Sequence, residues 1–307
     1  MASESVSRAG PSSASVPTGS RVHWVECPRD AWQGLPTRIP TAAKREYLRE
    51  LLAAGFRHLD LGSFVSPRAV PQMADTEAVL AELERPDGAD FLCIVANMQG
   101  LERAQASDAV TSVGYPLSLS ETFQHRNTGM DTARSWELVE ELAAAARRSS
   151  IEPVVYLSMG FGNPFGDPWR PSDTAEAVTR LRDRGIERLA LADTVGTADA
   201  SLVRAVLAEC DRPFDLGVHL HARPDRWRPV VEAAWEGGVR WFEGALAGVG
   251  GCPFAGDELV GNLPSERVLP WLAEVANTAP VSLDALPGLA TSAAALADSG
   301  RGAAGHA

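Results

Sequence analysis

Apolar residues gather in eight short runs, and most runs are followed by a stretch in which apolar positions recur at helical spacing. The runs cover 22–27, 58–63, 91–97, 109–115, 153–159, 188–193, 216–221 and 241–246, and each is read as a β-strand. Helices are expected over 41–54, 71–84, 101–106, 131–148, 172–184, 199–210, 229–236 and 264–276. The first carries Tyr47, Leu48, Leu51 and Leu52 on one face and is closed by Gly55. Eight strand-then-helix units predict an α/β fold, a single (β/α)8 TIM barrel over 21–290. The rival doubly wound sheet carries a glycine-rich turn after its first strand, whereas here that strand runs into Pro28-Arg29-Asp30.

Composition adds limits. The chain of 307 residues is 45% hydrophobic and 22% charged, which is a globular composition. No apolar run reaches the ~18 residues needed to span a bilayer. The first 20 residues are rich in Ser, Ala and Gly without the apolar centre of a signal peptide. This arm (1–20) and the tail (291–307) are expected to be disordered. A net charge of −12 argues against nucleic acid or an anionic membrane as a partner. Cys27, Cys93, Cys210 and Cys252 are widely spaced with no CxxC pair, so neither a zinc knuckle nor a disulfide framework is suggested, and a cytoplasmic location is expected.

The polar residues that interrupt the apolar runs collect at the C-terminal ends of the strands, where barrels of this kind carry their active sites. Arg29 and Asp30 follow the first strand, Asp60 and Ser63 lie in the second, and Asn97 ends the third. Asp193 and Thr194 end the sixth, His219 and His221 the seventh, and Cys252 and Asn262 follow the eighth. Side chains two apart on a strand leave the same face, so the two imidazoles suit one metal ion, although two unrelated histidines would show the same spacing. Asp30, His219, His221 and Asn262 together offer two nitrogens and two oxygens without a thiolate. That set suits Mg²⁺ or Mn²⁺ better than structural zinc, with zinc left open. Arg29 reads either as a salt-bridge partner of an acid such as Asp60 or as a cation for a developing enolate. Cys252, among small residues, reads as inert packing or as a proton donor. Gln33, Gln72 and Glu121 either line the site or face water, and Trp32 and Trp169 are read as packing or as a cover for a ligand.

Cys27-Pro28-Arg29-Asp30-Ala31-Trp32-Gln33 resembles the PRDGLQ motif of 3-hydroxy-3-methylglutaryl-CoA (HMG-CoA) lyases. Ser63-Phe64-Val65-Ser66-Pro67 with Val70-Pro71-Gln72-Met73 resembles that family's SFVSP…VPQM. His219-Leu220-His221, Ala247-Gly248-Val249-Gly250-Gly251-Cys252-Pro253 and Gly261-Asn262-Leu263 resemble its HxH, GLGGCP and GNL segments, and Asp193-Thr194-Val195-Gly196 also matches. The resemblance implies a divalent-metal retro-Claisen cleavage of a 3-hydroxyacyl-CoA to acetyl-CoA and acetoacetate by a homodimer. It implies that Asp30, His219, His221 and Asn262 bind Mg²⁺ or Mn²⁺. It further implies that Arg29 stabilises the enolate, that Cys252 helps protonate it, and that His219 helps move the hydroxyl proton. Asp60 matches a family glutamate near the metal. Gln33, Ser63, Asn97, Thr194 and Arg223 are the expected substrate-binding residues.

The departures lie around the pocket. Ala222-Arg223 stand where better-known lyases carry Asp-Thr, Trp32 replaces Leu, and the segment 161–169 differs from the usual GCPYEG. These motivate an alternative, a metal-dependent aldolase or Claisen-type condensing enzyme on another acyl-CoA or oxo acid. A third reading is a catalytically silent scaffold barrel.

Overall fold

The strands are buried on both faces, which is why they read as short continuous runs rather than as alternating ones. In the computed structural model, which describes residues 21–223, 225–251 and 261–301, they are β1 (His23–Glu26), β2 (His58–Ser63), β3 (Asp90–Ile94), β4 (Ser112–Ser118), β5 (Glu152–Ser158), β6 (Arg188–Ala192), β7 (Leu216–His219) and β8 (Trp241–Gly244). They pair in parallel in chain order, and β1 closes on β8 with His23 opposite Trp241 and Glu26 opposite Gly244. The expected (β/α)8 barrel is the fold. The helices are α1 (Pro28–Gln33), α2 (Thr41–Ala53), α3 (Thr76–Leu80), α4 (Met98–Gln105), α5 (Glu121–Thr128), α6 (Thr132–Arg148), α7 (Pro171–Arg182), α8 (Ala200–Glu209), α9 (Trp227–Glu236), α10 (Ser265–Ala276) and α11 (Leu286–Arg301).

Three local differences from the sequence reading have physical causes. The fourth strand runs three residues further than expected, through Pro116, because pairing with β5 continues to Ser118 while pairing with β3 stops at Gly114. Beyond that point the missing proline N–H costs no ladder bond. Two short helices, α1 and α5, occupy rim segments that carry too few residues to show helical periodicity. The tail also needs correction: residues 291–301 are helical, not disordered, and belong to α11. Its buried face is built largely from small residues (Leu286, Leu289, Ala293, Ala297, Gly300), which carry weak hydropathy but high helix propensity where they are alanine. Residues 1–20 and 302–307 lie outside the described residues.

One apolar cluster fills the space between barrel and helices, and a second, with Val25, Leu92, Ile94, Val154, Ala190 and Trp241, fills the barrel itself. Gly217 makes room for the latter, since a Cβ there would sit 2.5–2.8 Å from the Trp241 ring. The N-terminal floor is closed by polar groups: Arg188 pairs with Asp90 at 2.9 Å and with the Ser112 hydroxyl at 2.8 Å, and the His23 and His58 rings lie 4.0 Å apart. The opposite end stays open. Among the described residues, no helix is long and apolar enough to cross a membrane.

Candidate active site at the barrel mouth

Chain direction puts the rim chemistry together. β1 ends at Glu26, and Pro28, which needs no N–H partner, starts α1 at once. Arg29 and Asp30 therefore sit in a first helical turn held against the mouth. Arg29 Nε bridges both Asp60 oxygens at 3.1 and 3.0 Å, and its Nη2 also bonds Asp60. Its Nη1 reaches Asp30 at 3.1 Å and Gln33 at 3.0 Å. A guanidinium has five N–H donors, so one on Nη2 remains for a ligand. Gln33 Nε2 returns to Asp30 at 2.7 Å, and Asn262 Nδ2 donates to the other Asp30 oxygen at 2.8 Å. The chain comes this close because Gly250 lies against α1: a Cβ there would meet Asp30 O at 2.6 Å, and its φ of +103° favours glycine.

β7 delivers the imidazoles. His219 is its last residue, and His221 is fixed by an antiparallel bridge to Asn262. The rings stand edge to face with centroids 4.9 Å apart. The His219 Nδ1 lies 2.8 Å from Glu243 Oε2, a carboxylate from β8.

Electrostatics distinguish these groups. Burial pushes the Asp30 carboxyl up, but Arg29 and both imidazoles outweigh it and hold the group at about 2. Burial raises Asp60 to about 6 against the pull of Arg29. Burial, with His219 adding to it, lowers His221 to about 4. For His219 burial works downward, yet Glu243 and Asp30 raise it overall. Asp193 is pushed up to about 6 by burial, against the amides of Ala198, Thr197 and Gly196 that it caps.

Among the described residues, two buried donor groups could hold a cation, Asp30–His219–His221 and Cys27–His219–Glu243, each with its atoms within 4.8 Å of one another. In the second, two members already bond each other, His219 Nδ1 to Glu243. In the first, Asp30 accepts from Arg29, Gln33 and Asn262, but among the described residues His221 Nδ1 and Asn262 Oδ1, both buried beside it, have no hydrogen-bond partner. Moreover, three buried carboxylates, Asp30, Asp60 and Glu243, surround the single guanidinium of Arg29. Even with a proton on His219 the acids outnumber the cations, which is costly unless a further cation meets them. The Asp30–His219–His221 set, with Asn262, fits a divalent ion.

A cavity of about 280 Å³ opens over this set. Arg29, Asp30, His219 and His221 form one side of it, and Val65, Ala69, Val70, Ile94, Ala96 and Phe123 line the side toward β2–β4. A family model described as HMGL-like matches residues 21–290. The chain belongs to the HMGL-like family. It is 32% identical over 265 residues to a hydroxymethylglutaryl-CoA lyase of Pseudomonas mevalonii, covering 84% of this chain and 86% of that one. It is 33% identical over 246 residues to a 3-hydroxy-3-isohexenylglutaryl-CoA/hydroxymethylglutaryl-CoA lyase of Pseudomonas aeruginosa, covering 79% and 81%. A crystal structure of hydroxymethylglutaryl-CoA lyase from Pseudomonas aeruginosa superposes with a TM-score of 0.82 at 31% identity, over 90% of this chain and 93% of that one. This HMGL-like protein is a carbon–carbon lyase.

The residues singled out in the sequence divide by position. Gln33, Ser63, Asn97 and Thr194 line the cavity with Arg29, Asp30 and both histidines. Asn97 also caps α4 through Gly100 N, and Thr194 accepts from Met159 N at 2.9 Å. Asp60 lies beneath Arg29, fully buried. Arg223 is exposed and does not line the cavity, because the chain turns outward after Ala222. Cys252 lies outside the described residues. Gln72 is structural, bonding Ile39 N at 2.8 Å and Thr37 O at 2.9 Å, and Glu121 ties Thr132 N. Trp32 is buried edge to face against Tyr47, and Trp169 donates to Thr174, so neither covers the mouth. The unusual 161–169 segment does not line the cavity either. Its Asp167 accepts from Thr122 N and Oγ1 and so anchors α5, which supplies Phe123, Asn127 and Thr128 to the lining.

Glu243 and Glu26 were missed in the sequence. The signal was present, since each is a lone acid inside an apolar strand. Glu26 accepts from Leu246 N and Ser265 Oγ, both at 2.6 Å, and ties both sides of the β8–α10 connection to β1. Burial raises it to about 7 against those bonds.

Proposed function

We propose that this HMGL-like lyase cleaves HMG-CoA to acetyl-CoA and acetoacetate, with Mg²⁺ or Mn²⁺ held by Asp30, His219, His221 and Asn262. The observation that carries the reading is the buried Asp30–His219–His221 set beside a guanidinium at the mouth of the barrel, with His221 Nδ1 and Asn262 Oδ1 unpartnered among the described residues. When bound, the cation acidifies the tertiary hydroxyl and neutralises the adjoining carboxylate of the substrate. Arg29 contributes a fixed positive charge and one free N–H for the thioester oxygen as it gains negative charge. As the C–C bond breaks, its electron pair passes to the thioester side as an enolate, the hydroxyl proton passes to water at the open mouth, because both nitrogens of His219 are already engaged, and the former carbinol becomes the ketone of acetoacetate. Protonation of the enolate carbon completes acetyl-CoA. The sequence resemblance supports Cys252 for that step. Gln33, Ser63, Asn97 and Thr194 are the polar contacts we assign to the substrate. A homodimer is the form the resemblance supports, which light scattering on the purified chain tests, and the widely spaced cysteines, with no CxxC pair, support a cytoplasmic location.

The apolar wall of Val65, Ala69, Val70, Ile94, Ala96 and Phe123 supports a second reading. On it, the preferred substrate carries a longer C3 branch than methyl, as the name of the Pseudomonas aeruginosa relative implies for that protein. Each methylene buried there would raise kcat/KM about fourfold.

A product assay by mass spectrometry tests both readings. Protein with Mn²⁺ is given HMG-CoA and its longer-branched homologues beside a His219→Ala control. Metal-dependent acetyl-CoA release from HMG-CoA, lost in the control, supports the first reading. A rise along the branch series moves the substrate to the second. Cleavage of none, with Mn²⁺ bound, removes both.

A further inference from the structure

Glu243 is placed where a sequence motif gives no hint of a role. It enters the barrel from β8 with its side chain wholly buried, where a carboxylate loses its water. Four side chains replace that water. Trp241 Nε1 donates to Oε1 at 3.1 Å and Tyr156 OH to the same oxygen at 3.2 Å, while His219 Nδ1 lies 2.8 Å and the Cys27 thiol 3.8 Å from Oε2. A carboxylate can only accept, so in either charge state of the ring the hydrogen sits on His219 Nδ1. The other nitrogen, Nε2, is then the one left for the Asp30–His221 side. Tyr156 presents its ring to the cavity but spends its hydroxyl on Glu243.

We propose that Glu243 and Tyr156 are positioning residues: Glu243 fixes His219 as the Nδ1–H form with Nε2 turned to the mouth, and Tyr156, with Trp241, fixes Glu243. The proposal rests on the reading of Asp30–His219–His221 as the cation site. A carboxylate behind a ligating histidine sets its tautomer and orientation, and loss of such a group typically costs 10–100-fold in metal affinity.

The test uses the full chain with Mn²⁺ as probe, followed by electron paramagnetic resonance, and metal-free protein with ¹⁵N-labelled histidine, followed by NMR. In Glu243→Gln the amide can turn a donor toward the ring. We expect Mn²⁺ affinity to fall 10–100-fold and the metal-free His219 pattern to move from Nδ1–H toward Nε2–H. Glu243→Asp restores the carboxylate and should keep the wild-type tautomer. Tyr156→Phe keeps the ring and the cavity and removes one donor, so Mn²⁺ binding should weaken several-fold with the tautomer unchanged. Unaltered Mn²⁺ affinity and an unaltered Nδ1–H signal in Glu243→Gln would overturn the proposal. If that variant does not fold, Mn²⁺ affinity at the wild-type value in Tyr156→Phe does so instead. Wild-type protein that takes up no Mn²⁺ while His219 stays Nδ1–H and responds to Glu243→Gln would remove the cation site but not the positioning.

Discussion

Each end of the barrel holds an arginine–aspartate pair, buried at the mouth and partly buried at the floor, and they use it differently. At the floor, Asp90 receives Arg188 at 2.9 Å and the Thr111 hydroxyl at 2.7 Å, and the Ser112 hydroxyl bonds both partners. At the mouth, Arg29 is shared between Asp60 and Asp30, and the neighbouring Asn262 Oδ1 and His221 Nδ1 have no hydrogen-bond partner among the described residues. The floor network has about as much positive as negative charge. The mouth carries an excess of carboxylate. A fold can afford that excess only where something binds, which is why the same pair of residue types reads as structure at one end and as a site at the other.

The sharpest way to break this comparison is to remove each arginine. Arg29→Met leaves Asp60 buried and unpaired, so urea unfolding should show a loss of about 3–5 kcal/mol, and lyase activity should vanish. Arg188→Met should cost less, about 2 kcal/mol, since that pair keeps some solvent contact. Its kcat per folded molecule should not change. Equal loss of activity in both variants would erase the distinction between the ends.

Next in size is cation binding. Mn²⁺ at a hundred times its Kd should stabilise the wild type by about 2.7 kcal/mol, read as a rise in Tm that a chelator reverses. Asp30→Asn should abolish the rise. A rise that survives in Asp30→Asn would move the ion elsewhere.

Acid should act on the floor. Burial, then His58 and Arg188, lower His23 to about 3 from its ordinary value of 6.5, so the folded state resists a proton that the unfolded chain accepts. The stability this gives is present above pH 6.5 and is lost as pH falls toward 3. His23→Gln should flatten the decline between those values in a pH series of urea melts. An unchanged slope would assign the acid sensitivity to other groups.

The smallest effect is expected from Asp167→Ala. It releases α5 from the 161–169 segment at a cost of about 1 kcal/mol, and should shift KM modestly with kcat unchanged. A collapse of kcat would put that segment in the site itself.

Legibility in the sequence was uneven. All eight strands and the long helices were readable because their signals are local, a run or a 3.6 period within a few residues. Arg29, Asp30, His219 and His221 could be assigned to one rim because strand polarity fixes which end a residue occupies. Arg223 sits on the correct rim by sequence but turns outward, and nothing local encodes that turn. α11 was read as tail because alanine and serine hide a buried face that appears only when it packs on α1 and α2. Glu243 stood out as a lone acid in an apolar strand, but its role was hidden for a related reason. Its partners Cys27, Tyr156 and His219 come from the residue after β1, from β5 and from β7, 216, 87 and 24 residues away.

The sequence by itself determined the order of the elements, the end of the barrel that bears chemistry, and the residue types available there. Closure decided the rest. Pairing β1 with β8 brings together residues more than 200 positions apart, and only then does Asn262 reach Asp30, Glu26 hold the β8–α10 connection, and an excess of buried negative charge form beside two imidazoles. Spacing along a chain reports on neighbours, whereas charge balance and donor count belong to a closed surface.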